Sequence, residues 1–118
     1  MTSSPLHIRL LNLLSAIREL SPFDAMTAEE EELLRDLLVR WHNARDIPVS
    51  LIMNSMTEVS AATAYRRLMS LHAKGLIELR VDQSDRRVKF VDPTALALDY
   101  GARIQTVING LLDESRSR

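Results

Sequence analysis

Apolar residues recur along this chain at spacings that predict five helices, a β-hairpin and one short edge strand. From Pro5, which suits the first turn of a helix, Leu6, Leu10, Leu13, Leu14, Ile17 and Leu20 follow at helical intervals. Ile8 and Leu11 widen that stripe, so the helix over residues 5–21 must bury against more than its own small domain before Ser21-Pro22 ends it. Thr27 and Glu30 have capping-box spacing and open a second helix. Its first turn carries Glu29–Glu32, where the helix dipole favours negative charge; the cluster reads as a solvated helix start rather than a metal or acidic-partner site. Leu33, Leu34, Leu37, Leu38 and Trp41 supply the buried face. Ile47-Pro48-Val49 reads as an edge strand, and Ser50 as the cap of a short third helix over residues 51–55.

Ser60 or a neighbour caps a fourth helix that runs to about Ala73 and stops at Lys74-Gly75. Two strands, 76–81 and 88–91, flank the polar turn 82–87. Asp92-Pro93-Thr94 then restarts a helix whose stripe is Leu96, Tyr100, Ile104, Val107, Ile108 and Leu111, weakened at Gly101 and Gly110 and frayed over 113–118. The expected fold is mainly α with a small β-hairpin wing (α+β), a winged helix-turn-helix. Residues 1–118 form a single domain in this reading, with a winged-helix core at 23–94 and dimerisation helices at 5–21 and 93–114.

Composition narrows the chemistry. The 118 residues suffice for one modest core. With no cysteine there is no disulfide, thiolate metal site or thiol switch. His7, His42 and His72 fall at no metal-ligand spacing, and His72 is placed near the packed side of the fourth helix. Three glycines make a phosphate-cradling loop improbable, and no Ser/His/Asp grouping stands out, so neither an enzyme nor a cofactor is expected. The start MTSSPLHIRL lacks a signal-peptide pattern, so a soluble cytoplasmic protein with no membrane partner is the expectation.

The net charge of −1 conceals a polarised chain. Between Ser60 and Phe90 seven cations face three anions, a net of +4, whereas Phe23–Asp46 carries −4. Such a basic segment is a weak pointer to nucleic acid. On the fourth helix Ala64, Leu68 and Leu71 share the packing face, and Ala62, Arg66 and Met69 the opposite one, flanked by Thr63 and Tyr65. Small residues at a helix start allow close approach to base edges, Arg66 has the fork to grip guanine, and Thr63 and Tyr65 can reach base or phosphate. Arg67 lies nearer the buried edge, where a phosphate clamp and an intramolecular ion pair both remain open. The turn is the sharper signal: Arg86 and Arg87 at a hairpin tip can enter a minor groove, and Asp85 can hold the Arg87 guanidinium extended. Ser60 and Lys89 complete the candidate DNA-binding set.

At these residues the chain resembles the MarR family of winged-helix transcriptional regulators. That family's wing signature, Asp-x-Arg, five residues, then Leu-Thr, is met by Asp85, Arg87 and Thr94, with Pro93 in place of the leucine. Its recognition-helix pattern is met by Ser60, Thr63, Arg66, Leu71, Lys74, Gly75 and Leu76. The resemblance implies the fourth helix in the major groove, Arg87 in the minor groove and Asp85 as its brace. The terminal helices, through Leu6, Leu10, Leu13, Leu14, Ile17, Ile104, Ile108 and Leu111, are the expected homodimer interface, and a dimer would read double-stranded DNA at a pseudo-palindromic operator. A small-molecule effector is open to such a protein, but no convergent polar residues name one. The leading expectation is a dimeric regulator, a repressor by occupancy; the alternative is a winged-helix protein-interaction module without specific DNA binding.

Overall fold

A computed structural model describes residues 4–116. Helix α1 spans Leu6–Glu19, and a 3-10 turn follows at Phe23–Ala25. Helices α2 (Ala28–Asn43), α3 (Val49–Ser55) and α4 (Ala61–Ala73) lead into strands β1 (Ile77–Val81) and β2 (Lys89–Pro93), and helix α5 runs from Ala95 to Arg116. The architecture is mainly α with one antiparallel hairpin, as the apolar pattern predicts.

The described residues form two compact units, 26–98 and 4–25 with 99–116. In the first, Leu33, Leu34 and Leu37 of α2, Ile52 of α3 and Ala64, Leu68 and Leu71 of α4 are buried together with Leu76, Ile77 and Val91. Each large side chain so buried contributes about 1.5–3 kcal/mol relative to exposure. Trp41, half-buried, donates its indole N–H to the Val91 carbonyl at 2.8 Å and so ties α2 to β2. In the second unit Phe23 and Tyr100 meet edge to face at 5.2 Å, with Ile17 buried and the Arg18 guanidinium donating to the Phe23 carbonyl.

Local chemistry explains the boundaries. Thr27 Oγ1 accepts from the Glu30 amide at the start of α2, and Ser60 Oγ accepts from the Thr63 amide at the start of α4. Helix α4 ends in a Schellman turn, where the Leu76 amide reaches the Leu71 carbonyl and the Gly75 amide the His72 carbonyl, both at 3.0 Å. That turn needs Gly75 at φ +77°, a left-handed conformation costing most other residues about 1–2 kcal/mol. Thr94 caps α5 by accepting from the Ala97 amide, while its hydroxyl donates to the Gly75 carbonyl at 2.7 Å.

Several expectations are corrected. The strand at Ile47–Val49 shrinks to one bridge between Pro48 and Phe90, because α3 already begins at Val49 with Pro48, not Ser50, at its cap. Strand β2 is displaced to Lys89–Pro93, with Pro93 pairing Ile77 at the end of the ladder, where its missing N–H is tolerated. His72 is exposed rather than packed. Helix α5 continues to Arg116, through most of the stretch expected to fray. Among the described residues no helix is long and apolar enough to cross a membrane.

Candidate nucleic-acid interface

Two surfaces of the 26–98 unit carry the residues singled out above. On α4, the packing face leaves Ala61, Ala62, Tyr65 and Arg66 exposed, with Thr63 and Met69 half-buried. The hydroxyl of Thr63 is a junction: it accepts from Ser60 Oγ at 3.1 Å and from the Arg66 guanidinium at 3.2 Å. Ser60 and Thr63 therefore shape the helix start and orient Arg66. Arg67 points elsewhere, lining a cleft of about 290 Å³ whose wall includes Glu29, Glu32, Asp36 and Glu58. Arg40 lines the same cleft and pairs with Asp36 at 2.8 Å, and no ion pair of Arg67 is seen among the described residues, so the phosphate and intramolecular readings of Arg67 both stay open.

The hairpin tip holds a fork. Asp85 accepts from Arg87 Nε at 3.0 Å and Nη2 at 3.1 Å, and from the Arg87 backbone amide at 3.1 Å. The Arg87 side chain is nonetheless 90% exposed, so the clasp aims the group without covering it. These hydrogen bonds hold the Asp85 carboxyl below its ordinary value and push the Arg87 guanidinium above its own. Arg86 and Lys89 stand exposed beside it, and neither they nor Arg66 form an ion pair among the described residues. The turn is closed by the Asp82 amide on the Val88 carbonyl and the Val88 amide on the Asp85 carbonyl.

The residues that the apolar pattern did not reveal are those that fix these two surfaces in place. Glu30 is buried, not solvated: its carboxylate accepts from Lys74 Nζ at 2.8 Å and from Ser70 Oγ at 3.1 Å, joining the first turn of α2 to the last turn of α4. Burial pushes this carboxyl upward, but the hydrogen bonds from Lys74 and Ser70 and the Lys74 charge prevail, and the net shift is downward. Arg80, counted above among the surface cations, grips Asp92 and Asp46, and these bonds raise its pKa. The only signal for that pairing is the hairpin register, in which Arg80 faces Phe90 with Asp92 two residues on. Recognising it requires the register first.

No family model and no curated protein matches the sequence. Solved structures do resemble it. The transcriptional regulator Tm0710 from Thermotoga maritima superposes with a TM-score of 0.63 at 15% identity, over 95% of this chain and 75% of that one. FabT of Streptococcus pneumoniae, solved in complex with DNA, gives 0.62 at 18% identity, over 94% and 73%. A mutant MarR from E. coli complexed with operator DNA gives 0.58 at 21% identity, over 92% and 73%. The fold is that of the MarR-type winged-helix regulators. In that MarR-type frame α4 is the second helix of the helix-turn-helix and β1–β2 is the wing, the positions expected from the Ser60–Thr94 motifs.

The terminal helices α1 and α5 carry an open apolar surface. Leu6, Leu13 and Ile108 are exposed, and Leu10, Leu14, Ile104 and Leu111 half-buried; Ile17 is buried within the protomer and supports the face from beneath. Leu6, Leu10, Ile108, Leu111 and Leu112 line an apolar groove of about 260 Å³, beside which Arg9 pairs with Glu114.

Proposed function

We propose that this chain is a dimeric, sequence-specific DNA-binding transcriptional regulator that represses by occupying a pseudo-palindromic operator. The observation that carries the reading is the Asp85–Arg87 fork, a fully exposed guanidinium pre-aimed at the tip of a wing. Helix α4 enters the major groove with Ala62, Tyr65 and Arg66 toward the bases, Ser60 and Thr63 orienting its first turn. Arg87, with Arg86 and Lys89 along the backbone, follows the adjacent minor groove. FabT and MarR having been solved with DNA supports the choice of ligand.

Selection of bound sequences from a random duplex pool tests the proposal. The expected product is a palindromic consensus whose half-sites lie one turn apart, roughly 34–36 Å. Repeating the selection with Arg66→Ala should relax the preference at one base pair of each half-site and cost about 1–3 kcal/mol there. A pool that shows no enrichment, with a tight protein partner recovered instead, would establish the protein-interaction reading.

The homodimer rests on the open apolar groove of α1 and α5. Exposed patches of this kind mark interfaces, and a self-complementary one closes as a two-fold pair. Leu6→Lys with Ile108→Lys places charges on two already exposed positions. Light scattering after size exclusion should show a dimer for the natural chain and a monomer for the double variant, with binding to the full palindrome falling to that of a single half-site.

A further inference from the structure

One guanidinium joins three segments at the base of the wing. Arg80 donates Nε to Asp92 Oδ2 at 2.8 Å and Nη2 to Asp46 Oδ1 at 2.5 Å, and its Cζ lies 4.7 Å from the centroid of the Phe90 ring. Asp92 and Phe90 belong to β2, whereas Asp46 lies in the connection between α2 and α3. Ile77 and Val91 pack the base of the hairpin into the core, and among the described residues its other hydrogen bonds to the helical part are made at one residue, Val91. Its amide donates to the Ile47 carbonyl at 2.8 Å, and its carbonyl accepts from Trp41. Pro48, bridged to Phe90, has no N–H to add. These anchors lie toward the base, and the outer part of the ribbon is exposed; a further attachment there restricts its angle. Arg80 supplies that attachment close to the tip, since only the Val81–Lys89 pair lies beyond it before the turn that carries Asp85 and Arg87.

We propose that Arg80 is a positioning residue that sets the angle of the wing through Asp46, and that it serves DNA recognition through Arg87 without touching the duplex; this rests on the DNA-binding reading above. All the groups that bond it are intramolecular, and the planar fork that reaches two carboxylates at once is a geometry lysine lacks. The neighbouring carboxylates make the claim sharp. Asp46 is an anion on a protein expected to bind a polyanion, so charge alone predicts that its removal tightens binding. As half of a strut, its removal weakens binding.

Affinity for the selected operator separates these outcomes. Arg80→Lys keeps the charge and loses the fork; it should fall about tenfold, as far as Arg80→Met, whereas a phosphate contact would survive the exchange to lysine. Asp46→Asn should weaken binding several-fold. Adding Arg80→Met to Arg87→Ala should cost much less than Arg80→Met costs alone, because the strut acts chiefly through that side chain. A second measurement needs no DNA. The chain has no cysteine, so spin labels at Gln83→Cys in the turn and Asn54→Cys in α3 report one distance, read with excess unlabelled chain present. That distribution should broaden in Arg80→Lys. An unchanged distribution, wild-type affinity in Arg80→Lys, or tighter binding by Asp46→Asn overturns the inference. Failure of the unaltered chain to bind any selected sequence would instead sink the DNA reading, and the spin-label distance then decides the strut alone.

Discussion

Glu30→Ala is expected to destabilise the protein by about 2–3 kcal/mol, with a fall in melting temperature of about 10 °C. Glu30 is buried, its side chain only 6% exposed, and loss of its carboxylate strands Lys74 and Ser70 at the end of α4. Breaking a fully buried ion pair costs about 3–5 kcal/mol, but Lys74 keeps 26% of its side-chain exposure and can turn to water, which places the cost at the lower end. Glu30→Gln, which keeps the shape and can still accept from Ser70, should lose less. The pH dependence has a definite sign. Folding lowers the Glu30 pKa below its ordinary value of 4.5, so its contribution is fully present above that value and drains away as pH falls through the depressed one. Denaturant curves for the natural chain and Glu30→Gln should therefore converge in acid and separate towards neutrality. Parallel curves at every pH would show that the buried pair contributes no charge-dependent stability.

Arg87→Ala is expected to cost the largest share of operator affinity, about tenfold per protomer and about a hundredfold for a dimer engaging both half-sites. The loss should be nearly uniform across sequences, in contrast to Arg66→Ala, because a minor-groove arginine reads width and potential more than base identity. Plots of log affinity against log salt should become shallower by about 0.9 for each guanidinium removed. The melting temperature should stay close to that of the natural chain, since the clasp with Asp85 lies on an exposed turn. Unchanged affinity at low and high salt alike would remove the wing from the interface.

How much of this was legible follows from where each signal resides. Helix α4 could be bounded in advance because its start and stop are local chemistry: a serine three residues before the amide it caps, and a glycine where the chain turns left-handed. The Asp85–Arg87 pair was legible for the same reason, its partners being two residues apart. Glu30 was not. Its acidic neighbours Glu29, Glu31 and Glu32 made it look solvated, and its partner lies 44 residues away on another helix. Arg80 was hidden because its partners Asp92 and Asp46 lie 12 and 34 residues away, and only the cross-strand register brings Asp92 near it. Pro48 misled because a proline after an isoleucine suits both an edge strand and a helix cap, and only the packing of Ile47 and Ile52 decides between them.

The ion pairs at Lys74 and Arg80 also bear on how such a protein would find its site. Of the seven cations between Ser60 and Phe90, these two hold carboxylates away from the exposed wing tip, and Arg67 lies in a cleft walled by Glu29, Glu32, Asp36 and Glu58. Random duplex attracts proteins through phosphate charge alone, and a surface this sparing with free cations gives it little to hold. A genome presents on the order of 10⁶–10⁹ competing stretches, so weak retention on each of them matters more than the strength of the single correct contact. On the DNA-binding reading, few molecules would be held on duplex away from the selected sequence.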